Sequence, residues 1–226
     1  MKIRAEVRPF IAAAWAVGAL LAVACAACGM AGCRAIGWGV AVAVVLCAYL
    51  IYFFRDPERT PPGAPAAIVA GADGTVARIA DVNEDRYLKT DAVRISIFLS
   101  LFDVHVNRAP IAGSSSFLGY FPGKRYFTFQ EKSSEFNQHN AILIQGDGTR
   151  CLVNQIVGPV CRRVVYWPDP DRPTAVKKGE RIGMMKFGSR LDMLFPRADV
   201  EVIAKPGDRV CAGETVVARI RGEGGR

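Results

Sequence analysis

The sequence predicts a mainly β (α+β) protein, with a compact barrel-sandwich-like β domain preceded by an N-terminal transmembrane helical hairpin. Three observations predict it. Two long uncharged runs fill most of the first 54 residues. Beyond them, short β-prone runs are punctuated by Pro and Gly, with no stretch of clean helical periodicity. Finally, KPGDRVCAGETVVARI (205–220) has the strand–turn–strand spacing of a lipoyl-like barrel-sandwich element, with Val210, Val216 and Ile220 pointing inward.

The first run, residues 10–33, and the second, residues 35–54, each exceed the roughly 20 helical residues that cross a hydrocarbon core. Gly29, Gly32 and Arg34 mark the turn between them. Lys2, Arg4 and Arg8 precede the first run, and Arg55 and Arg59 follow the second. This distribution places both ends in the cytoplasm, so the β domain faces the cytoplasm from the inner membrane. A cleaved signal peptide followed by one span is the alternative, with AVACAAC around Cys25 as its cleavage site.

Composition closes several other routes. With 22% charged and 51% hydrophobic residues, the chain is no disordered polyelectrolyte. Seven cysteines, four of them within the apolar runs, do not form a disulfide framework, and two histidines argue against a His-rich metal site. No metal is expected. The formal charge of +8 suits an anionic lipid surface or simple solubility, and no nucleic-acid partner is expected.

Residues 1–54 thus form the anchor and 55–226 the soluble domain, with DPERTPPGAP (56–65) as a non-helical linker. Strands are expected in 66–71, 75–82, 91–100, 115–121, 124–130, 140–146, 150–158, 159–166, 180–188, 199–205 and 214–220. Asp147-Gly148 is a hairpin turn, and a short helix is expected near 131–140. GADGTVARI (71–79) echoes AGETVVARI (212–220), so the two elements could pair about a pseudo-twofold axis.

Three short segments carry chemistry. In MKFGSRLD, Gly188-Ser189 reads as a turn, yet a glycine tolerates strained backbone while a neighbouring hydroxyl attacks its carbonyl. In FLSLFDVHVNRAP, an extended chain would put Asp103, His105 and Asn107 on one face, with Arg108 beside them. His105 there is a structural histidine or a proton-transfer group. In GADGTV, Asp73 is a turn residue or a carboxylate able to orient or deprotonate a hydroxyl.

Taken together, FFRDPER (53–59), GADGTV, ISIFLSLFDVHVNRAP (95–110), GKRYF (123–127), NQHN (137–140), QIVGPVCRRVV (155–165), GERIGMMKFGSRLDMLFP (179–196) and VCAGETVVA (210–218) resemble the short bacterial form of phosphatidylserine decarboxylase proenzymes. The resemblance spans nearly all of 53–220 in order. It implies a self-processing chain in which Ser189 attacks the Gly188 carbonyl to give an ester. β-Elimination then separates 1–188 from 189–226, and loss of ammonia turns Ser189 into a pyruvoyl group. The two chains stay associated as a heterodimer. The pyruvoyl ketone forms an imine with the serine headgroup of a membrane phospholipid and accepts electrons as carbon dioxide leaves. His105 matches the family histidine that returns a proton, and Asp73 matches the family aspartate, the first choice for activating Ser189 ahead of His105. Asn107 and Arg108 are the expected headgroup contacts.

The sequence departs from the resembled pattern at four places. Arg108 replaces the second histidine of the longer relatives and Phe187-Gly188-Ser189-Arg190 their Leu-Gly-Ser-Thr, while Gly71 replaces the family's usual proline and Asn137-Gln138-His139-Asn140 its usual Asn-Glu-x-Asn. His139 is taken as structural or surface. Two readings without chemistry stand beside the enzyme: a membrane-anchored barrel-sandwich adaptor, and a relative in which processing is dead.

Overall fold

The computed structural model describes residues 2–159 and 164–222. It divides into two units, Met1–Glu58 and Arg59–Arg226.

The first unit is the expected hairpin. Helix α1 (Arg8–Ala27) and helix α2 (Gly32–Phe53) are both long and apolar enough to cross a membrane. Gly29 at φ +84° ends α1 in a Schellman turn, where Met30 N donates to Cys25 O and Gly29 N to Ala26 O. The turn is therefore shorter than the sequence indicates, and Gly32 and Arg34 open α2. Small residues form the seam. A methyl group built on Gly18 would stand 2.5 Å from Gly39 O, so only glycine allows this helix approach. Strand β1 (Lys2–Ile3) pairs antiparallel with β2 (Arg55–Asp56), which brings both ends of the hairpin together.

The second unit is β-rich. Its strands are β3 (Ala67–Val69), β4 (Gly74–Glu84), β5 (Thr90–Leu99), β6 (Val106–Arg108), β7 (Gly113–Phe121), β8 (His139–Gln145), β9 (Arg150–Val157), β10 (Val165–Tyr166), β11 (Thr174–Val176), β12 (Arg181–Met184), β13 (Ser189–Pro196), β14 (Val200–Val202), β15 (Arg209–Val210) and β16 (Val216–Ile220). An eight-stranded sheet runs β11-β7-β8-β9-β13-β5-β4-β15, with three-stranded sheets β10-β12-β6 and β14-β16-β3. The main core packs Ile95, Ile97, Leu99, Leu191, Met193 and Phe195 of the large sheet against residues such as Ile68, Ile182 and Val217 of the smaller ones.

Several expectations are corrected. Residues 189–196 form the central strand β13, buried on both faces. Arg190 and Asp192 mask it in the sequence, because they are buried polar residues on the face opposite Leu191 and Met193. Residues 124–130 form no strand. The Asn137 side chain takes over Tyr126's backbone groups, accepting from Tyr126 N at 2.8 Å and donating to Tyr126 O at 2.7 Å. The expected short helix is one turn, α3 (Ser133–Phe136). Residues 160–163 of the expected strand 159–166 lie outside the described residues, and only Val165–Tyr166 pair. A register shift between Val216 and Ala218 buries Val217 instead of Val216, leaving Val216 and Ile220 half-buried beside a buried Val210. The echoed strands do not pair with each other: β4 lies in the large sheet and β16 between β14 and β3, and the two elements meet through their turns, where Ala212 N donates to Asp73.

Candidate active site

Register places the scissile-bond candidate. Ser189 opens β13 and pairs with Leu99 of β5 on one side and Val157 of β9 on the other. The preceding residues connect β12 to β13, while 100–105 connect β5 to β6. Because β12 pairs with β6 and β13 with β5, the two connectors leave the same end of the same strand pairs. Met185 N donates to His105 O at 3.2 Å, which ties them together. Gly188-Ser189 and His105 are thus gathered at one sheet end by topology.

The backbone before Ser189 is strained. Phe187 has φ +57° and Gly188 has φ +71°. The left-handed conformation costs a residue with a Cβ roughly 1–2 kcal/mol, and it sits here immediately before the bond of interest. Ser189 is fully buried, and its Oγ has no hydrogen-bond partner among the described residues. Such hydroxyls are uncommon, since a buried unpaired polar group costs on the order of 1–3 kcal/mol. Opposite, a methyl group on Gly158 would stand 3.3 Å from Gly188 O and 3.4 Å from Thr128 Cγ2, so Gly158 leaves room for that carbonyl.

His105 is fully buried, with Nδ1 2.9 Å from the Asp103 carbonyl oxygen. A carbonyl only accepts, so Nδ1 carries the proton and Nε2 is the proton-accepting atom of the neutral ring. The expected shared face of Asp103, His105 and Asn107 does not form, because the strand starts only at Val106. The chain bends at 101–103, and the Asp103 carboxylate turns back to accept from Ser100 N, Ser100 Oγ and Arg209 Nη2. Burial pushes this carboxyl upward, but the hydrogen bonds from Arg209 and Ser100 outweigh it and hold it below the ordinary carboxylate range.

Asp73 lies just before β4, at the same end of the sheet. Strands β4 and β13 flank β5, so about 10 Å separates their axes. Its carboxylate accepts from Ala212 N at 2.7 Å and Arg59 Nη2 at 2.9 Å. Arg59 also donates to Glu214 at 2.7 Å. Burial raises the Glu214 carboxyl, and the hydrogen bonds from Arg59 and Thr60 N together with the Arg59 and Arg108 charges outweigh it, holding the group below the ordinary carboxylate range. Asp73 therefore locks the 71–74 turn onto the 211–215 turn. Arg108 is buried and donates from Nη1 to Gly179 O at 2.8 Å.

Two residues that open quoted motifs, Gln155 and Asn137, receive no role from the sequence. Gln155 Nε2 donates to Asn107 Oδ1 at 2.8 Å and Gln155 Oε1 accepts from Asn140 Nδ2 at 3.3 Å. This chain of amides leaves Asn107 Nδ2 as a buried donor that has no partner among the described residues. Gln155 pairs with Leu191, two residues along from the Val157–Ser189 pair and on the same sheet face. Asn137 Nδ2 also donates to Val157 O at 3.0 Å, so this side chain fastens the 124–130 loop beside Ser189. The quoted motif NQHN holds the only sequence hint of that role. His139 is stacked on Phe121 at 5.2 Å with Nδ1 2.9 Å from Asn137 O, as a structural residue would be.

Comparison with known proteins matches residues 46–218 to the phosphatidylserine decarboxylase family. A phosphatidylserine decarboxylase proenzyme of Carboxydothermus hydrogenoformans is 44% identical over 185 residues, 82% of this chain and 86% of its own. Proenzymes of the same description from Symbiobacterium thermophilum and Salinibacter ruber are 40% and 47% identical, covering 94% and 76% of this chain and 97% and 76% of theirs.

Proposed function

The chain belongs to the phosphatidylserine decarboxylase family, and on that footing we propose that it is a self-processing proenzyme whose mature form converts phosphatidylserine to phosphatidylethanolamine and carbon dioxide. The observation that carries this reading is Ser189 itself. A buried hydroxyl without a partner follows two left-handed residues and opens a strand held on both sides.

These features fit self-processing. Ser189 Oγ attacks the Gly188 carbonyl carbon. The hydroxyl proton passes by way of a base to the departing Ser189 nitrogen, and the amide becomes an ester. Loss of the Ser189 α-proton then expels the Gly188 carboxylate. Hydrolysis of the resulting dehydroalanine releases ammonia and leaves a pyruvoyl group at the head of 189–226. His105 Nε2 and Asp73 are the base candidates. Asp73 already accepts from Arg59 and Ala212, which suits it to electrostatic support, whereas His105, with the Nδ1 proton given to the Asp103 carbonyl, offers Nε2 as the accepting nitrogen when the ring is neutral.

The pyruvoyl ketone would supply an electron sink for decarboxylation, with no metal required. His105 then delivers a proton to the α-carbon of the headgroup, a role suited to an imidazole near neutral pH. Asn107 Nδ2 donates to an oxygen of the headgroup, and the buried Arg108 charge favours its phosphate or carboxylate. The products, 1–188 and 189–226, remain a heterodimer because β13 lies between β5 and β9 while β16 pairs with β3 and β15 with β4. Residues 1–54 anchor the enzyme in the inner membrane, and the basic flanks put 55–226 on the cytoplasmic side.

Denaturing electrophoresis of the purified protein tests this. Two chains split after Gly188 are expected, the smaller blocked to Edman chemistry. One full-length band would favour an adaptor or a processing-dead relative.

A further inference from the structure

The loop 122–138 lies beside the Ser189 end of the large sheet and is built in an unusual way. Its inner side is fixed. Thr128 and Ser133 are buried, Asn137 bonds Tyr126 and Val157, and Glu131 pairs with Arg94, Arg190 and Arg78. Its outer side is apolar and basic. Phe127 and Phe129 are 56% and 64% exposed and stack on each other at 5.5 Å and 19°. Phe136 is 50% exposed. Around them stand exposed Lys124, Arg125 and Lys132. The Lys132 ammonium lies 4.0 Å from the Tyr126 ring centroid, so its charge stays on the aromatic side of the loop. Glu135 is also exposed, but Glu131 is occupied, which leaves the outer side net basic.

Stacked aromatic rings held out toward water on an internally bonded loop form the kind of exposed apolar patch that marks an interaction surface. Aromatic rings ringed by Lys and Arg match the interface of an anionic bilayer. The position also matches, since Thr128 and the Gly188 carbonyl both border the space beside Gly158.

We propose that loop 122–138 is a membrane-docking element. Phe127 and Phe129 enter the acyl region, and Lys124, Arg125 and Lys132 meet anionic headgroups. That Gly188-Ser189 is thereby held at headgroup depth rests on the phosphatidylserine reading above; the docking itself does not.

The test uses the full chain in phosphatidylcholine vesicles with and without phosphatidylglycerol. Phe127→Trp and Phe129→Trp are each measured against doxyl-labelled lipid, with the wild-type signal subtracted. Ile203→Trp, at another exposed apolar position, serves as control. The proposal expects several-fold stronger quenching at 127 and 129 than at 203, reduced when phosphatidylglycerol is left out or Lys124, Arg125 and Lys132 are replaced by Gln. Equal quenching at all three sites would overturn it. So would shielding of 127 and 129 that needs a second protein and no lipid. Phe127→Ser/Phe129→Ser should also lower turnover of vesicle-borne phosphatidylserine several-fold relative to a monomeric short-chain analogue. Equal losses on both substrates would count against docking. A protein inactive on both yet quenched at 127 and 129 would support docking and overturn the decarboxylase reading.

Discussion

Gln155 donates to Asn107 across 2.8 Å and so decides which way a buried amide faces. The pair joins β9 to β6, the central sheet to the segment that carries His105. Gly183 makes the bond possible, because a methyl group there would stand 2.8 Å from Gln155 Nε2 and 2.2 Å from Val165 O. Gln155→Leu should strand the Asn107 amide and lower stability by about 1–3 kcal/mol. Processing should slow as well, measured by the time course of chain separation. Gly183→Ala should do the same through the backbone clash. A Gln155→Leu protein with unchanged melting temperature and processing would remove Asn107 from the site.

His105→Ala is expected to separate the acid–base roles. The variant should cleave slowly, with Asp73 as the remaining base candidate, and once cleaved should decarboxylate at least about 100-fold more slowly, the usual loss when a positioned proton donor is removed. Single-turnover assays on the cleaved variant read the second step alone. Normal turnover would show that another group protonates the product.

Asn137→Ala removes three hydrogen bonds, to Tyr126 N, Tyr126 O and Val157 O. At about 0.5–1.5 kcal/mol each, partly replaced by water, the loss should come to a few kcal/mol. Amide hydrogen exchange should rise across 124–137 while β5 and β13 stay protected. Uniform exchange over the whole domain would mean that Asn137 supports the fold at large.

Asp103 gives a pH prediction with a definite sign. Its folded carboxyl lies below the ordinary 3.8, so its contribution to stability is present above that value and is lost as pH falls through the lower folded value. Wild type should therefore lose stability relative to Asp103→Asn only below about pH 4. The advantage should shrink with added salt, because Arg209 is largely exposed. Acid titration of the two melting temperatures checks it. An advantage that does not shrink at all as pH falls below the ordinary carboxylate range would contradict the ion pair.

The hairpin and most strands were legible because their signals are local: apolar length, glycine turns and alternation. Strand β13 was not, since Arg190 and Asp192 satisfy each other at 2.9 Å and so hide a fully buried strand behind two charges. The loop 124–130 alternates like a strand, but Asn137, eleven residues from Tyr126, takes its hydrogen bonds. Ser189, His105 and Asp73 were legible as motif residues. Arg59 on Asp73, Gln155 on Asn107 and Arg209 on Asp103 were not, because each pair is joined only by the fold. The bend at 101–103 was also invisible, and it replaces an expected carboxylate–histidine face with a carbonyl–histidine bond.

Intact mass of the purified full chain is the most direct measurement. The account predicts two species, 1–188 and 189–226, with the smaller carrying a pyruvoyl head that borohydride reduces with a gain of two hydrogens, and an unbroken chain for Ser189→Ala. A single unmodified mass for the wild-type protein under active-assay conditions would contradict it.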